Sequence, residues 1–236
     1  MMTELTLPII GYMHSSYKEK FGIPRQPNLV QVESYIEMLA PYNDVLAFEG
    51  IEAFSHLWLV WQFHDNKNPE KNQFRPQVRP PRLGGNKKIG VFATRSMYRP
   101  SPIGLSVVKL KCVKKEGKSV RVYVTGSDLL DGTPIVDIKP YIHYSDAVIN
   151  AESGYAQDEP KRKSVIWSDR AIEQKQQLLM SEKLSVQTAQ ELEAVLSLDP
   201  RPAYQDDEAR VYKMKFAAVD IAFTVGETTV NITAVE

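Results

Sequence analysis

The chain has 236 residues, 43% hydrophobic and 25% charged, with 29 basic residues cancelled by 29 acidic ones, so total charge points to no polyanionic or polycationic partner. This is the composition of a globular protein with room for a substantial core, and two unequal units are expected. The single cysteine, Cys112, excludes an intramolecular disulfide and a multi-cysteine zinc site. No apolar run reaches the roughly 18 residues that span a bilayer, and Met1-Met2-Thr3-Glu4 lacks the layout of a secretory signal, so a cytoplasmic protein with no membrane association is expected.

In chain order, Leu5 to Met13 reads as a first strand, followed by a stretch in which Pro24 and Pro27 hold Arg25-Gln26 extended. Leu29 to Ile36 alternates loosely as a second strand. The run His56 to His64 is short and apolar at nearly every position, the pattern of a strand buried on both faces, and it delivers His64 and Asp65 at its exit. Asn66 to Lys88 is a long loop carrying Arg79-Pro80-Pro81-Arg82-Leu83-Gly84-Gly85, and loops of this length are usually functional or disordered. Gly90 to Ser106 joins two strand-like runs through Pro100-Ser101-Pro102, which cannot be helix, and presents Arg95 and Arg99 from a rigid loop. Ile103 to Val113 and Ser119 to Thr125 form a hairpin around Lys115 to Lys118, Asp131-Gly132 marks a turn, and Ile135 to Tyr141 closes the sheet.

Near Ser145 the texture changes. Residues 146–165 read as a polar linker, Ser168 to Leu184 and Ser185 to Leu198 as two helices with serine N-caps, and Arg210 to Ala218, Asp220 to Val225 and Thr228 to Val235 as strands. The expected organisation is a mainly β protein, α+β overall, with a β-rich domain over 1–145 and a small α+β domain over 146–236.

Charge is unevenly spread. Lys71 to Arg121 holds fourteen Lys or Arg against one acid, Glu116, a local field that attracts polyanions. Lys109 to Lys118 are also explained as solvated exterior strand residues, whereas Arg75 to Arg99 sit among prolines, glycines and aromatics in loops. No Gly-x-Gly, phosphate loop or Gly-x-Ser-x-Gly occurs, which removes Rossmann, P-loop and serine-hydrolase readings. His56 and His64 lie eight apart without further ligands, so no metal site is expected. What remains is a β domain whose loops present Arg, Asp, Gln and His to a polar small molecule.

Several strings are more specific: Tyr17-Lys18-Glu19-Lys20-Phe21 with Pro24-Arg25-Gln26; Gly50 to Trp58; Pro80 to Gly85; Gly90 to Ser96; Arg99-Pro100; Pro102-Ile103-Gly104; Asp131 to Pro134 with Asp137 to Tyr141; and Asp199-Pro200-Arg201-Pro202-Ala203-Tyr204. Together, and in this order, they resemble the TrmO (TsaA-like) family over nearly the whole chain. The resemblance implies a TsaA-like N-terminal β-barrel that binds S-adenosyl-L-methionine, works as a homodimer and methylates tRNA. The implied reaction is N6-methylation of the N6-threonylcarbamoyladenosine at position 37, next to the anticodon of threonine tRNA. Two positions depart from the expected pattern: Ser16 stands where Ser-Pro-Tyr-Lys would have proline, and Ser101 where Arg-Pro-Asn-Pro would have asparagine.

The resemblance places cofactor contacts at Pro24, Arg25, Gln26, His64, Asp65, Arg95, Leu105 and the Asp128-Leu129-Leu130-Asp131 loop. On chemical grounds Leu105 and Leu130 suit an adenine slot, Asp65, Asp128 or Asp131 the ribose hydroxyls, and Arg25 or Arg95 the methionyl carboxylate. The acylated N6 is a poor nucleophile until its proton leaves, so a base is expected. Asp137, on a polar strand position beside Lys139, is the candidate, its alternative being a strand-end hydrogen bond. Arg75, Arg79, Arg82, Arg99, Lys139 and Tyr141 are the candidate RNA contacts, with a tRNA-binding role for the C-terminal domain. All the cofactor loops precede Ser145, so the barrel alone is expected to bind the cofactor. A non-catalytic RNA-binding barrel is the alternative.

Overall fold

The computed structural model describes residues 5–65, 75–202, 205 and 207–236. Six strands, β1 (Gly11–His14), β2 (Glu33–Met38), β3 (His56–Gln62), β6 (Ile103–Glu116), β7 (Ser119–Thr125) and β8 (Pro134–Pro140), close into a barrel in the order β1-β2-β7-β6-β3-β8. All six pairings are antiparallel. Closure leaves no sheet edge to template aggregation, and it turns alternate residues of each strand into a packed interior. Met13, Ile36, Leu57, Leu59, Val108, Val122, Val124 and Ile135 fill it with no exposed surface.

The barrel corrects three expectations. Strand β3 is not buried on both faces: Leu57, Leu59 and Trp61 point inward, while His56, Trp58, Val60 and Gln62 are only half-buried on the outside. The near-continuous apolar run arises because Trp58 is itself covered, its indole N–H donating to Asp146 Oδ2 at 2.8 Å and its ring lying 5.9 Å from that of Tyr141. The first strand begins at Gly11 rather than Leu5, since Leu5 and Leu7 are exposed and Pro8 has no N–H to give a ladder. The second begins at Glu33 rather than Leu29, because Val30 and Val32 leave the barrel for another core. The hairpin between β6 and β7 turns at Gly117, whose φ of 62 needs glycine. In the long loop, β4 (Gln77–Val78) pairs with β5 (Ile89–Gly90) and Pro81–Leu83 makes one 3-10 turn. Lys71 and the rest of 66–74 lie outside the described residues, as do Ala203 and Tyr204.

After β8 comes one short helical turn, α1 (His143–Asp146), and then a second sheet, of order β10-β11-β12-β9: β9 (Ser164–Trp167), β10 (Tyr212–Phe216), β11 (Val219–Val225) and β12 (Thr229–Val235). Strand β9 falls at the end of the expected linker and pairs parallel to β12, which a periodicity reading of four residues does not reveal. Helices α2 (Asp169–Met180) and α3 (Val186–Ser197) begin at the expected caps: Ser168 Oγ accepts from Ala171 N and Ser185 Oγ from Thr188 N. Leu192, Leu196, Phe216, Ile221 and Phe223 form the core of this unit.

That second core is completed by the β1–β2 connection. Tyr17, Val30 and Val32 are buried in it, with Phe21 and Ile23 packed alongside. Tyr17 bridges to Phe216, Ala217 N donates to Ser16 O at 2.8 Å, and Lys215 N donates to Glu19 Oε1 at 3.0 Å. A fragment ending at Ser145 would uncover this face. Burial of side chains of this size is worth about 1.5–3 kcal/mol each. We predict that the 1–145 fragment, compared with the full chain in chemical denaturation and dye-binding assays, will unfold at lower denaturant and expose apolar surface, the Tyr17–Val32 segment losing its order first. Unchanged amide protection across that segment in the fragment would refute this.

Candidate active site

A cavity of about 500 Å³ opens at one side of the barrel between the β1–β2 connection, the exit of β3, the Thr94–Arg99 loop, the start of β6 and the β7–β8 turn. Of the residues expected to meet a cofactor, Pro24, Arg25, Gln26, His64, Asp65, Arg95, Leu105, Asp128 and Leu130 line it together. Two do not. Leu129 is fully buried in the barrel core, since it is the apolar residue that anchors the β7–β8 turn. Asp131 faces the β1–β2 connection, where its Oδ1 accepts from Ser15 N at 2.9 Å and its Oδ2 pairs with Lys18 at 2.9 Å.

Three devices hold the walls. Asn28, in the left-handed region with φ of 64, donates from its backbone N to Gly126 O at 2.8 Å and from Nδ2 to Val107 O at 2.9 Å, tying the β1–β2 connection to β6 and the β7–β8 turn. Arg95 Nη1 donates to Gln26 Oε1 at 2.6 Å, joining the two loops that face each other across the cavity. Arg25 Nη2 donates to Arg201 O at 3.2 Å, so a cavity residue is held by the C-terminal domain. The floor depends on Gly104, paired with Trp61 across β3 and β6: a Cβ there would fall inside the indole ring.

The charge pattern is mixed. Lys20, Arg25, Arg95 and Arg99 face the cavity with Asp65 and Asp128, against apolar surface from Ile23, Trp61, Phe63, Met97, Ile103, Leu105 and Leu130. Leu105 is 53% exposed at the lip, an apolar surface open to a flat partner. Lys20 pairs with Asp65 at 3.5 Å, and Arg99 Nη1 donates to Thr94 O at 2.8 Å. Burial raises the Asp128 carboxyl from its ordinary 3.8 to about 6, against the opposing pull of a hydrogen bond from Ser106 Oγ at 2.6 Å and of the Arg95 charge. Acceptor, cations and apolar lip are the donor set that a nucleoside bearing hydroxyls and an amino-acid arm requires.

The other expected residues fall outside or at the margin. Asp137 does not line the cavity: its Oδ2 pairs with Lys139 at 2.6 Å and its Oδ1 accepts from Ile138 N at 2.9 Å, the strand-end hydrogen bond rather than a base. Arg75 lies over the Tyr98 ring at 5.9 Å, Arg79 is exposed, and Arg82 donates to Asp158 O. Tyr141 packs on Trp58, whose ring reaches the cavity, and so brings Lys139 to the same side of the barrel. Sequence reasoning missed Lys20, Asn28, Trp61 and Gly104. Only Gly104 left a signal, as the glycine opening a β-branched run. Among the described residues no group of His, Cys, Asp or Glu could hold a metal, and no helix is long and apolar enough to cross a membrane.

The fold and cavity define a small-molecule-binding β-barrel with a nucleoside-sized site, fused to an α+β unit. Residues 12–147 match the model of the tRNA-methyltransferase O N-terminal domain and residues 160–236 that of the TrmO C-terminal domain, so the chain belongs to the TrmO family. It is 45% identical over 208 residues to the tRNA (adenine(37)-N6)-methyltransferase of Escherichia coli K12, covering 88% of this chain and 86% of the relative. It is 44% identical over 223 residues to a candidate S-adenosylmethionine-dependent methyltransferase, RcsF, of Pseudomonas aeruginosa, covering 93% and 92%. The crystal structure of TrmO from Pseudomonas aeruginosa superposes with a TM-score of 0.78 at 34% identity, covering 100% of this chain and 99% of that one.

Because the native state binds the Asp128 proton more tightly than the unfolded chain does, ionising it subtracts stability as pH rises from about 4 to above 6. Asp128→Asn removes that penalty. The variant is expected to gain about 1–3 kcal/mol over the native chain at pH 8, because the carboxyl binds its proton roughly a hundredfold more tightly in the folded state and each tenfold is worth about 1.4 kcal/mol. At pH 4 the gain should be close to nothing. Paired denaturant titrations check this, and a gain equal at both pH values would contradict it.

Proposed function

We propose that the chain is an S-adenosyl-L-methionine-dependent tRNA methyltransferase that methylates N6 of adenosine 37, and that its substrate is the N6-threonylcarbamoyl form of that base in threonine tRNA. The observation that carries this reading is a cavity in which an ionisable carboxylate, four cations and an exposed leucine face one another, in a chain matching both domains of the family. S-adenosylmethionine would supply an electrophilic methyl on a sulfonium. Asp128, with Asp65, suits the ribose hydroxyls, Leu105 and Leu130 the adenine faces, and Arg25 or Arg95 the methionyl carboxylate. The protein's task is to hold N6 in line with the methyl carbon, and the residues that fix the cavity walls serve that alignment. As the N–C bond forms and the S–C bond breaks, the N6 proton departs and the cofactor leaves as a neutral thioether.

The tRNA would lie across the Arg75–Arg82 loop and the C-terminal domain in the cytoplasm, with Arg99 at the cavity mouth. A homodimer fits the exposed apolar run Tyr144, Val148 and Ile149 that follows the barrel beside Trp58, with Tyr144 at 90% and Ile149 at 91% exposure. The threonyl carboxylate of the modified base offers an anion to a cation such as Lys139 or Arg82. Without that anion a partly desolvated cation would be left unpaired, which is why the modification should be demanded and not merely tolerated.

Labelled methyl donor with the same threonine tRNA, bare or pre-modified, tests the reading. Transfer to the modified tRNA at a rate at least about tenfold above the bare transcript is expected, the equivalent of one lost charge-assisted contact. Equal rates would reject carboxylate recognition, and tRNA binding without cofactor binding would leave a non-catalytic RNA-binding barrel. Arg79→Ala and Arg82→Ala are expected to weaken tRNA binding with the salt slope lowered by about one per lost phosphate contact, whereas Arg95→Ala should chiefly weaken the cofactor. Salt-dependent binding titrations separate the two groups.

A further inference from the structure

Behind the cavity wall lies a polar chain for which the lining residues give no reason. Trp61 Nε1 donates to Ser106 Oγ at 3.0 Å, and Ser106 Oγ in turn donates to Asp128 Oδ1 at 2.6 Å. Ser106 is 1% exposed and Trp61 8%, and Ser106 does not line the cavity. The two residues belong to adjacent strands, β3 and β6, in a rigid part of the barrel, and the indole reaches this position only because Gly104 has no side chain. A serine hydroxyl has one proton to give. With the indole N–H already pointing at Oγ, that proton is directed at the carboxylate, and Oδ2 is left for whatever enters the cavity.

We propose that Ser106, oriented by Trp61, is the positioning residue that keeps the Asp128 carboxylate ionised and turned toward the cavity, so that it accepts hydrogen bonds from hydroxyl or amino groups of the bound cofactor. The proposal deepens the cofactor reading given above and rests on it. A buried carboxyl without such a donor would take up a proton at neutral pH, becoming a donor where the ligand also has a donor. Among the described residues, the charged and titratable groups facing Asp128 are Arg95 from the opposite loop and the buried Tyr17 phenol from the β1–β2 connection, with Lys20, Arg25, His64, Asp65 and Arg99 elsewhere on the cavity wall. Of these, Arg95 favours the ionised form, while burial of the site disfavours it. Ser106 is the donor placed to tip that balance. Burial and the Asp128 charge both raise the Tyr17 phenol, so that group stays neutral and adds no competing charge.

The test uses the full chain and follows the Asp128 carboxyl by carbon NMR and S-adenosylmethionine affinity by calorimetry from pH 5 to pH 9. In the native protein both should share a midpoint near 6. In Ser106→Ala the midpoint is expected to rise by about one pH unit, so the affinity loss relative to native should approach tenfold at pH 5 and vanish near pH 9. Ser106→Thr, which restores the hydroxyl, should return the native profile. Trp61→Phe, which keeps a ring and deletes the N–H, should move the midpoint the same way by less, and it serves where Ser106→Ala does not fold. Superimposable profiles, or a loss of equal size at every pH, would overturn the proposal, since a merely structural serine gives one or the other. A native protein that binds no S-adenosylmethionine would sink the cofactor reading, while the carboxyl titration of the unliganded variants still decides the role of Ser106.

Discussion

The connection between β1 and β2 is the constraint on which the rest of this protein depends, because it must satisfy two cores at once. Its apolar residues, Tyr17, Val30 and Val32, are buried with the C-terminal sheet and helices. Its polar residues, Lys20, Arg25 and Gln26, face the barrel cavity. The segment cannot shift toward one without losing the other, and Asn28 closes the arrangement by bonding to both β6 and the β7–β8 turn. Ordering an exposed loop of this length would cost entropy at every residue; here the packing of its apolar half offsets that cost and leaves its polar half preorganised.

Preorganisation matters because the cavity holds groups that do not belong together in an apolar medium. Asp128 lies deep enough for burial to raise its pKa, and the Ser106 hydroxyl and the Arg95 charge keep the ionised form accessible near neutrality. Arg95 is held at a fixed distance by Gln26, whose own position follows from Pro24 and Pro27. The site is thus built to present an acceptor and several cations without letting them all collapse into salt bridges; among the described residues Asp128 is in direct ion-pair contact with none, although Arg95 is near enough to act on it. A carboxylate in this condition has more to gain from a hydrogen-bonding ligand than a solvated one.

Much of this was legible in the residues. The strands of the barrel, the hairpin at Gly117, the serine caps of α2 and α3 and the loops that converge on the cavity all carry local signals, since turn chemistry and capping depend on neighbours in sequence. What was not legible depends on neighbours in space. Strand β9 is four residues whose identity comes from β12 beside it. Trp61 and Ser106 read as ordinary strand residues until barrel closure puts an indole N–H against a hydroxyl 45 positions away. Asp131 and Asp128 lie three apart in one loop and look equivalent, yet the turn at Gly132 sends one to Lys18 and the other to the cavity. Asp137 looked placed for chemistry because it stands beside Lys139, and that same neighbour is what neutralises it.

The C-terminal domain enters the site through a single carbonyl. Arg201 is 7% exposed and forms a two-point pair with Asp199, Nε to Oδ1 and Nη2 to Oδ2, each at 2.9 Å, while its Nη1 donates to Val225 O. Burial alone would raise the Asp199 carboxyl, but the Arg201 hydrogen bonds and charge outweigh it and hold the group below its ordinary pKa, with Lys163 adding to the same effect. Asp199 has φ of 50, a backbone conformation that persists only where its surroundings enforce it, and the ion pair is that enforcement. With the turn so fixed, Arg201 O has one direction to point, and it points at Arg25 Nη2. A buried pair of this kind is weak evidence for stability and better evidence for specifying a unique geometry. Here the geometry specified is that of a cation on the cavity wall, which makes the second domain a part of the site rather than an appendage to it.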